Sequence, residues 1–160
     1  MALRIERATE RDIPAIVRLV RHLAEYEKLA HAMVSSENDF FKALFGPQRN
    51  AAALMAFSGD APVGFALYFY NFSTFLGRRG IYLDDLFVEP EHRGQGIGKA
   101  LLQRLASIAK DEDCGRMEWS VLTWNQPSID FYRRLGAVTL EDWRTFRLTG
   151  EALERLAERG

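Results

Sequence analysis

The chain has 160 residues, 48% hydrophobic and 27% charged, enough for one domain that buries about 70% of its unfolded surface and outside the low-hydrophobicity, high-charge range of disordered chains. Its 21 Lys and Arg stand against 22 Asp and Glu, a formal net charge of −1, so the broad positive field that draws proteins to nucleic acid or an anionic membrane is missing. One cysteine and three scattered histidines cannot make an internal disulfide and are a poor zinc set, no stretch reaches the ~18 apolar residues of a membrane span, and the N-terminus has no signal-peptide apolar region. The expectation is a cytoplasmic protein of one domain, residues 1–160, with no metal, nucleic-acid or membrane partner.

In chain order, Leu3 to Arg7 alternates as a short strand, and Thr9 with Asp12 signals a helix start. Ile13, Ile16, Val17, Val20, Leu23 and Ala24 recur at spacings of three and four, which predicts an amphipathic helix to about Leu29. Ser36 before Glu37 and Asp39 opens a short helix that ends at Gly46-Pro47. Ala51 to Ser58 and Val63 to Phe72 are strand-like, joined by a tight connection at Gly59 to Pro62, and a third run spans Ile81 to Val88 before Pro90. A helix over Gly96 to Lys110, a strand over Met117 to Leu122 and a helix over Gln126 to Leu135 follow. Ala137 to Leu140 and Trp143 to Leu148 suit a last strand pair, with a terminal helix after Gly150. The pattern is α+β, a mixed α/β sandwich.

The segment Glu89 to Lys99 places Gly94, Gly96 and Gly98 between a strand and an amphipathic helix. Unpaired N–H groups and the positive dipole end of a helix start attract anions, and glycines let a diphosphate approach the backbone. A plain chain reversal is the bland alternative. A P-loop fails, since Arg93 stands five residues before Gly98 and Ala100 follows Lys99. A dinucleotide fingerprint lacks its last glycine, which is Lys99, although Glu118 falls about 20 residues beyond Gly98.

Arg93-Gly94-Gln95-Gly96-Ile97-Gly98 resembles the Arg/Gln-x-x-Gly-x-Gly/Ala motif of the GCN5-related N-acetyltransferase (GNAT) superfamily. Leu83 to Val88 before it, and Trp124 to Tyr132 with Leu135-Gly136-Ala137 after it, resemble the other GNAT elements in order. Leu23 to Leu29, Gly64 to Phe69 and Trp124 to Ser128 are similar to the diamine (spermidine/spermine N1-) and thialysine acetyltransferase group. The resemblance implies a central, mostly antiparallel sheet of about seven strands with helices on both faces. It also implies acyl-CoA between splayed strands, acetyl-CoA as co-substrate, a small-molecule amine acceptor and a homodimer.

By position, the resemblance implies that Leu86, Phe87 and Val88 meet the acetyl and pantetheine part. Arg93, Gly94, Gln95, Gly96, Ile97, Gly98 and Lys99 would hold the diphosphate, Asn125 and Ser128 the coenzyme arm, and Tyr132 would act as general acid. A phenol in reach can protonate a departing thiolate. An acceptor amine of pKa about 10.4 must lose a proton before it attacks, and the resemblance picks Asp84, with Asp85 as a packing carboxylate. Strict alternation puts the two aspartates on opposite faces. Tyr26 and Glu27 match the acceptor side, whereas Ala30 and His31 replace a further acidic pair of the spermidine enzymes, which favours a single-amine, amino-acid-like or small diamine acceptor. Glu141 and Asp142 resemble an acidic substrate loop but take no assigned role. Cys114 follows three acids that blunt a thiol and is expected in packing. Two further readings stay open: an acetyl-CoA-binding module without turnover and a peptide or protein N-acetyltransferase. A nicotinamide-dinucleotide binder is the third rival.

Overall fold

The structure is a computed structural model, and residues 2–158 are described. Packing divides the chain into two compact units, one ending at Ser120 and the other beginning at Val121.

The first unit is a five-stranded sheet in the order β1 (Leu3–Arg7), β2 (Ala52–Ser58), β3 (Ala61–Ser73), β4 (Arg78–Val88), β5 (Met117–Trp119). The first four strands are antiparallel to their neighbours, and β5 joins β4 in parallel. Helices α1 (Ile13–Tyr26), α2 (Glu37–Phe45) and α3 (Ile97–Asp111) complete the unit.

The apolar stripe of α1 buries Ile13, Ile16, Val17, Leu19 and Leu23, and Ile16, Leu19 and Leu23 pack with Leu44 of α2 on Ala53, Met55, Phe65 and Phe87. Side chains alternate across a strand, so Leu54, Ala66 and Tyr68, all fully buried, serve the opposite face. There α3 buries Ile97, Leu101, Leu102, Leu105 and Ile108. Helices therefore cover both faces of the sheet. At the start of α2, Ser36 N–H donates to Asp39 Oδ2 at 2.8 Å and Asp39 N–H to Ser36 Oγ at 3.3 Å, a reciprocal cap.

Several boundaries move. The Thr9–Asp12 capping box closes a 3-10 turn, Glu10–Asp12, rather than the first turn of α1, and α1 stops at Tyr26 instead of about Leu29. Strand β4 begins at Arg78, three residues before Ile81, and β5 ends at Trp119 rather than Leu122.

The second unit holds α4 (Gln126–Arg134) and α5 (Gly150–Ala157). The final strand pair expected at Ala137–Leu140 and Trp143–Leu148 is not formed, and the sheet has five strands instead of about seven. Trp143 N–H instead closes a turn on Leu140 O at 3.3 Å, and Trp143 and Phe146 are 77% and 93% exposed. Alternation supplies a strand with faces but not with a ladder partner, and two short strands alone are marginal. No helix among the described residues is long and apolar enough to cross a membrane.

Candidate active site

The C-terminal end of α1 closes with a Schellman motif. Lys28 takes a left-handed φ of 61°, its N–H reaches Glu25 O at 3.0 Å and Leu29 N–H reaches Ala24 O at 2.8 Å. This double closure fixes the direction in which Tyr26 and Glu27 leave the helix.

Strand β4 carries the neighbouring acids. Its register against β3 runs from Leu67↔Asp85 to Tyr68↔Leu83, so Asp84 is the extra residue of a β-bulge. The bulge resets the strand's phase. Leu83 and Ile81 pair with Tyr68 and Tyr70, whereas Asp85 and Phe87 pair with Leu67 and Phe65 on the α1 side. The strict alternation expected for Asp84 and Asp85 is thereby broken. Both aspartates, together with Glu27, lie within electrostatic reach of one another.

Burial, reinforced by the Asp84 and Glu27 charges, pushes the Asp85 carboxyl up to about 7. Burial raises Glu27 as well, with Asp84 adding to it, and burial raises Asp84. Clustered carboxylates hold protons that isolated ones release. Asp85, expected as a packing carboxylate, is the member of this cluster that burial raises most. It lies next to Asp84 in an otherwise apolar run, but only the ladder with β3 reveals the bulge.

Beyond Leu83 no strand among the described residues pairs with the outer edge of β4, because β5 stops at Trp119, opposite Leu83. Glu89 N–H donates to Val63 O at 2.8 Å, so by alternation the Phe87 amide faces β3 while those of Leu86 and Val88 face the open edge. Of these three residues, Leu86 and Val88 turn their amides to the open edge and Phe87 does not. The Phe87 side chain is core, 4% exposed.

The turn after β4 leads into α3 through Gly94 and Gly96, whose φ values of 78° and 80° only glycine adopts without strain. A Cβ at either would meet nothing within 4 Å, so their outer side is open to a ligand. The first hydrogen bond of α3 is Ala100 N–H to Gly96 O at 2.9 Å, which leaves the N–H groups of Ile97, Gly98 and Lys99 outside the helix ladder. The first turn has no acidic residue. Gly98 packs toward β4, where a Cβ would lie 3.9 Å from Val88 Cγ2. Open glycines, free amides and a helix dipole fit a diphosphate.

Arg93, expected with the residues of the diphosphate turn, has its side chain engaged within the protein. Its Nε donates to Val88 O at 2.9 Å, and its guanidinium carbon lies 4.7 Å from the Tyr26 ring centroid and 5.3 Å from that of Phe87. It joins the turn to the end of α1.

In the second unit, Asn125 is buried and caps α4, its Oδ1 accepting Ser128 N–H at 3.4 Å. Tyr132 sits half-buried on the same helix, its ring 5.6 Å from that of Phe131. Asn125, Ser128 and Tyr132 thus share one short helical segment. Burial raises the half-buried Cys114 thiol, Arg79 opposes this, and Glu112 and Asp113 add to it, which suppresses the reactive thiolate. Among the described residues no three His, Cys, Asp or Glu side chains are grouped to hold a metal.

The profile of the acetyltransferase (GNAT) family matches residues 16–137, a span that includes the bulged strand, the glycine turn and α4. The chain belongs to the acetyltransferase (GNAT) family. A thialysine N-epsilon-acetyltransferase from Bos taurus is 41% identical over 164 residues, covering 96% of each chain. The L-ornithine N5-acetyltransferase NATA1 of Arabidopsis thaliana is 30% identical over 98% of this chain and 88% of its own. Among solved structures, an integron cassette protein from the mobile metagenome of V. cholerae superposes with a TM-score of 0.83 at 28% identity over 99% of both chains. As a GNAT member the chain is an N-acetyltransferase, and its α+β fold is the family's.

Proposed function

We propose that this GNAT transfers acetyl from acetyl-CoA to the primary amine of a small molecule, a thialysine- or ornithine-like amino acid or a short diamine, by direct attack in a ternary complex. The observation that carries this reading is the convergence of Glu27, Asp84 and Asp85 at the β4 bulge, beside the open edge of Leu86 and Val88. An ammonium group needs carboxylates to bind it and one of them to take its proton. The names of the thialysine and ornithine relatives support an amino-acid acceptor.

When bound, acetyl-CoA supplies a thioester whose carbonyl carbon is open to an amine. The amides of Ile97, Gly98 and Lys99, with Gly94, Gln95 and Gly96, are assigned to its diphosphate, and the outward amides of Leu86 and Val88 to its pantetheine and acetyl end. Asn125 and Ser128 are assigned to the coenzyme arm. At pH 7 an amine of pKa about 10.4 is almost wholly protonated, and each unit of that gap costs about 1.4 kcal/mol. Glu27 and Asp84 hold the ammonium beside Tyr26, and the proton passes to the aspartate pair. Asp85, lifted to about 7, is matched to the neutral range in which a general base works best, so it shares the role first given to Asp84. Tyr132 Oη returns a proton to the departing sulfur.

The working enzyme is proposed to be a cytoplasmic homodimer in which all 160 residues serve one catalytic domain, without a metal. An acetyl-CoA thiol-release screen over thialysine, ornithine, lysine, short diamines, spermidine, aminoglycosides and peptide N-termini tests the acceptor class. Thialysine or ornithine should lead in kcat/KM. A wide lead for spermidine or a peptide would overturn the class, and coenzyme binding without turnover on any amine would favour a binding module.

A further inference from the structure

The last buried apolar residue of α1 is Leu23, yet the residues assigned to the amine, Tyr26 and Glu27, lie beyond it. Tyr26 packs at the edge of the apolar cluster, and two polar contacts tie this final turn to the chain after β4. His22 and Tyr26 are four residues apart, hence on one face of the helix, and they meet two residues that are also four apart in the segment after β4. His22 Nδ1 donates to Glu89 Oε1 at 2.7 Å, and Tyr26 lies beneath the Arg93 guanidinium. The Glu89 side chain is only 14% exposed. Its own main chain is pinned at both ends, N–H to Val63 O at 2.8 Å and C=O receiving His92 N–H at 2.9 Å. Arg93 is pinned in turn by Val88 O. Two rungs therefore run from one rigid stretch of chain to the other, and the glycine turn begins one residue past the second.

We propose that His22 and Glu89 are positioning residues which, with Arg93 against Tyr26, hold the amine-side end of α1 in register with the turn that takes the acetyl-CoA diphosphate, so that the two substrates bind with positive coupling. This inference rests on the acetyltransferase reading above. His22 and Glu89 are assigned to neither substrate, and they act through the residues they hold. A diphosphate held one residue past Arg93 restrains that residue further and, through its contact with Tyr26, the turn of α1 that bears Tyr26 and Glu27. Part of the ordering is then done before the amine arrives, and coupling of this kind is reciprocal.

Calorimetry with coenzyme A and thialysine, a pair that cannot react, reads the coupling directly. The wild-type protein should bind coenzyme A about fivefold or more tighter when thialysine is saturating. His22→Leu should bind coenzyme A alone within about twofold of wild type but lose that enhancement, and show a raised KM for the amine with kcat little changed. His22→Gln, whose Nε2 can donate to Glu89, should restore it. Should His22→Leu fail to fold, Glu89→Ala carries the same comparison. Equal enhancement in wild type and variant, or none in a wild type that binds both ligands, overturns the coupling while leaving the acetyltransferase reading intact. No heat from coenzyme A overturns both.

Discussion

Asp85 owes its chemistry to one inserted neighbour. Were Asp84 an ordinary paired residue of a regular strand, the side chains at 83 and 85 would share a face, and Asp85 would point with Leu83 toward the side of the sheet that α3 covers. The bulge sends it to the α1 side, where it meets Glu27. Retaining a proton there affects stability. In the unfolded chain an aspartate titrates near pH 3.9, whereas the folded-state value is about 7. Between these limits the native state binds the proton more tightly, so the stabilisation is complete below about pH 4 and is lost as pH rises through about 7. Asp85→Asn should remove this contribution. Its urea midpoint relative to wild type should be higher at pH 8 than at pH 4.5, and an unchanged difference would show that Asp85 titrates normally.

Among the elements, β3 and β4 illustrate what periodicity can and cannot disclose. The α1 stripe and the α3 stripe are written in local spacing, and both helices bury those stripes, although α1 ends three residues short of the expected Leu29. The bulge has no such signature, because it exists only in the pairing of Asp84 and its neighbours with Leu67 and Tyr68. The same limit explains residues 137–148, whose strand-like composition meets no partner. Tyr68, beside the bulge, carries a cost of its own. It is fully buried, and its hydroxyl finds no protein partner among the described residues. A buried unpaired hydroxyl costs about 1 kcal/mol or more, so Tyr68→Phe should raise the melting temperature by roughly 2–4 °C. A fall would mean that the hydroxyl is satisfied by an internal water.

For the molecule as a whole, the glycine turn was the most legible feature, since the conformations of Gly94 and Gly96 and the start of α3 are encoded in adjacent residues. The carboxylate cluster was half legible. Glu27 and Asp84 follow from resemblance, but Asp85 and the His22–Glu89 rung depend on contacts spanning dozens of residues, which no local pattern encodes. Arg93 was legible as a motif residue and not as the strut it forms with Tyr26.

The central claim is that this acetyltransferase draws the proton from a small amine into the acidic cluster at the β4 bulge. The most direct measurement is kcat/KM for the amine against pH, for wild type and Asp85→Asn, followed by release of the coenzyme A thiol. In wild type the rate should fall as pH drops below about 7, and Asp85→Asn should lose that limb and run at least about tenfold slower, a modest loss for a missing general base. A variant with the wild-type rate and the wild-type limb, or no amine-dependent thiol release at any pH, would contradict the account.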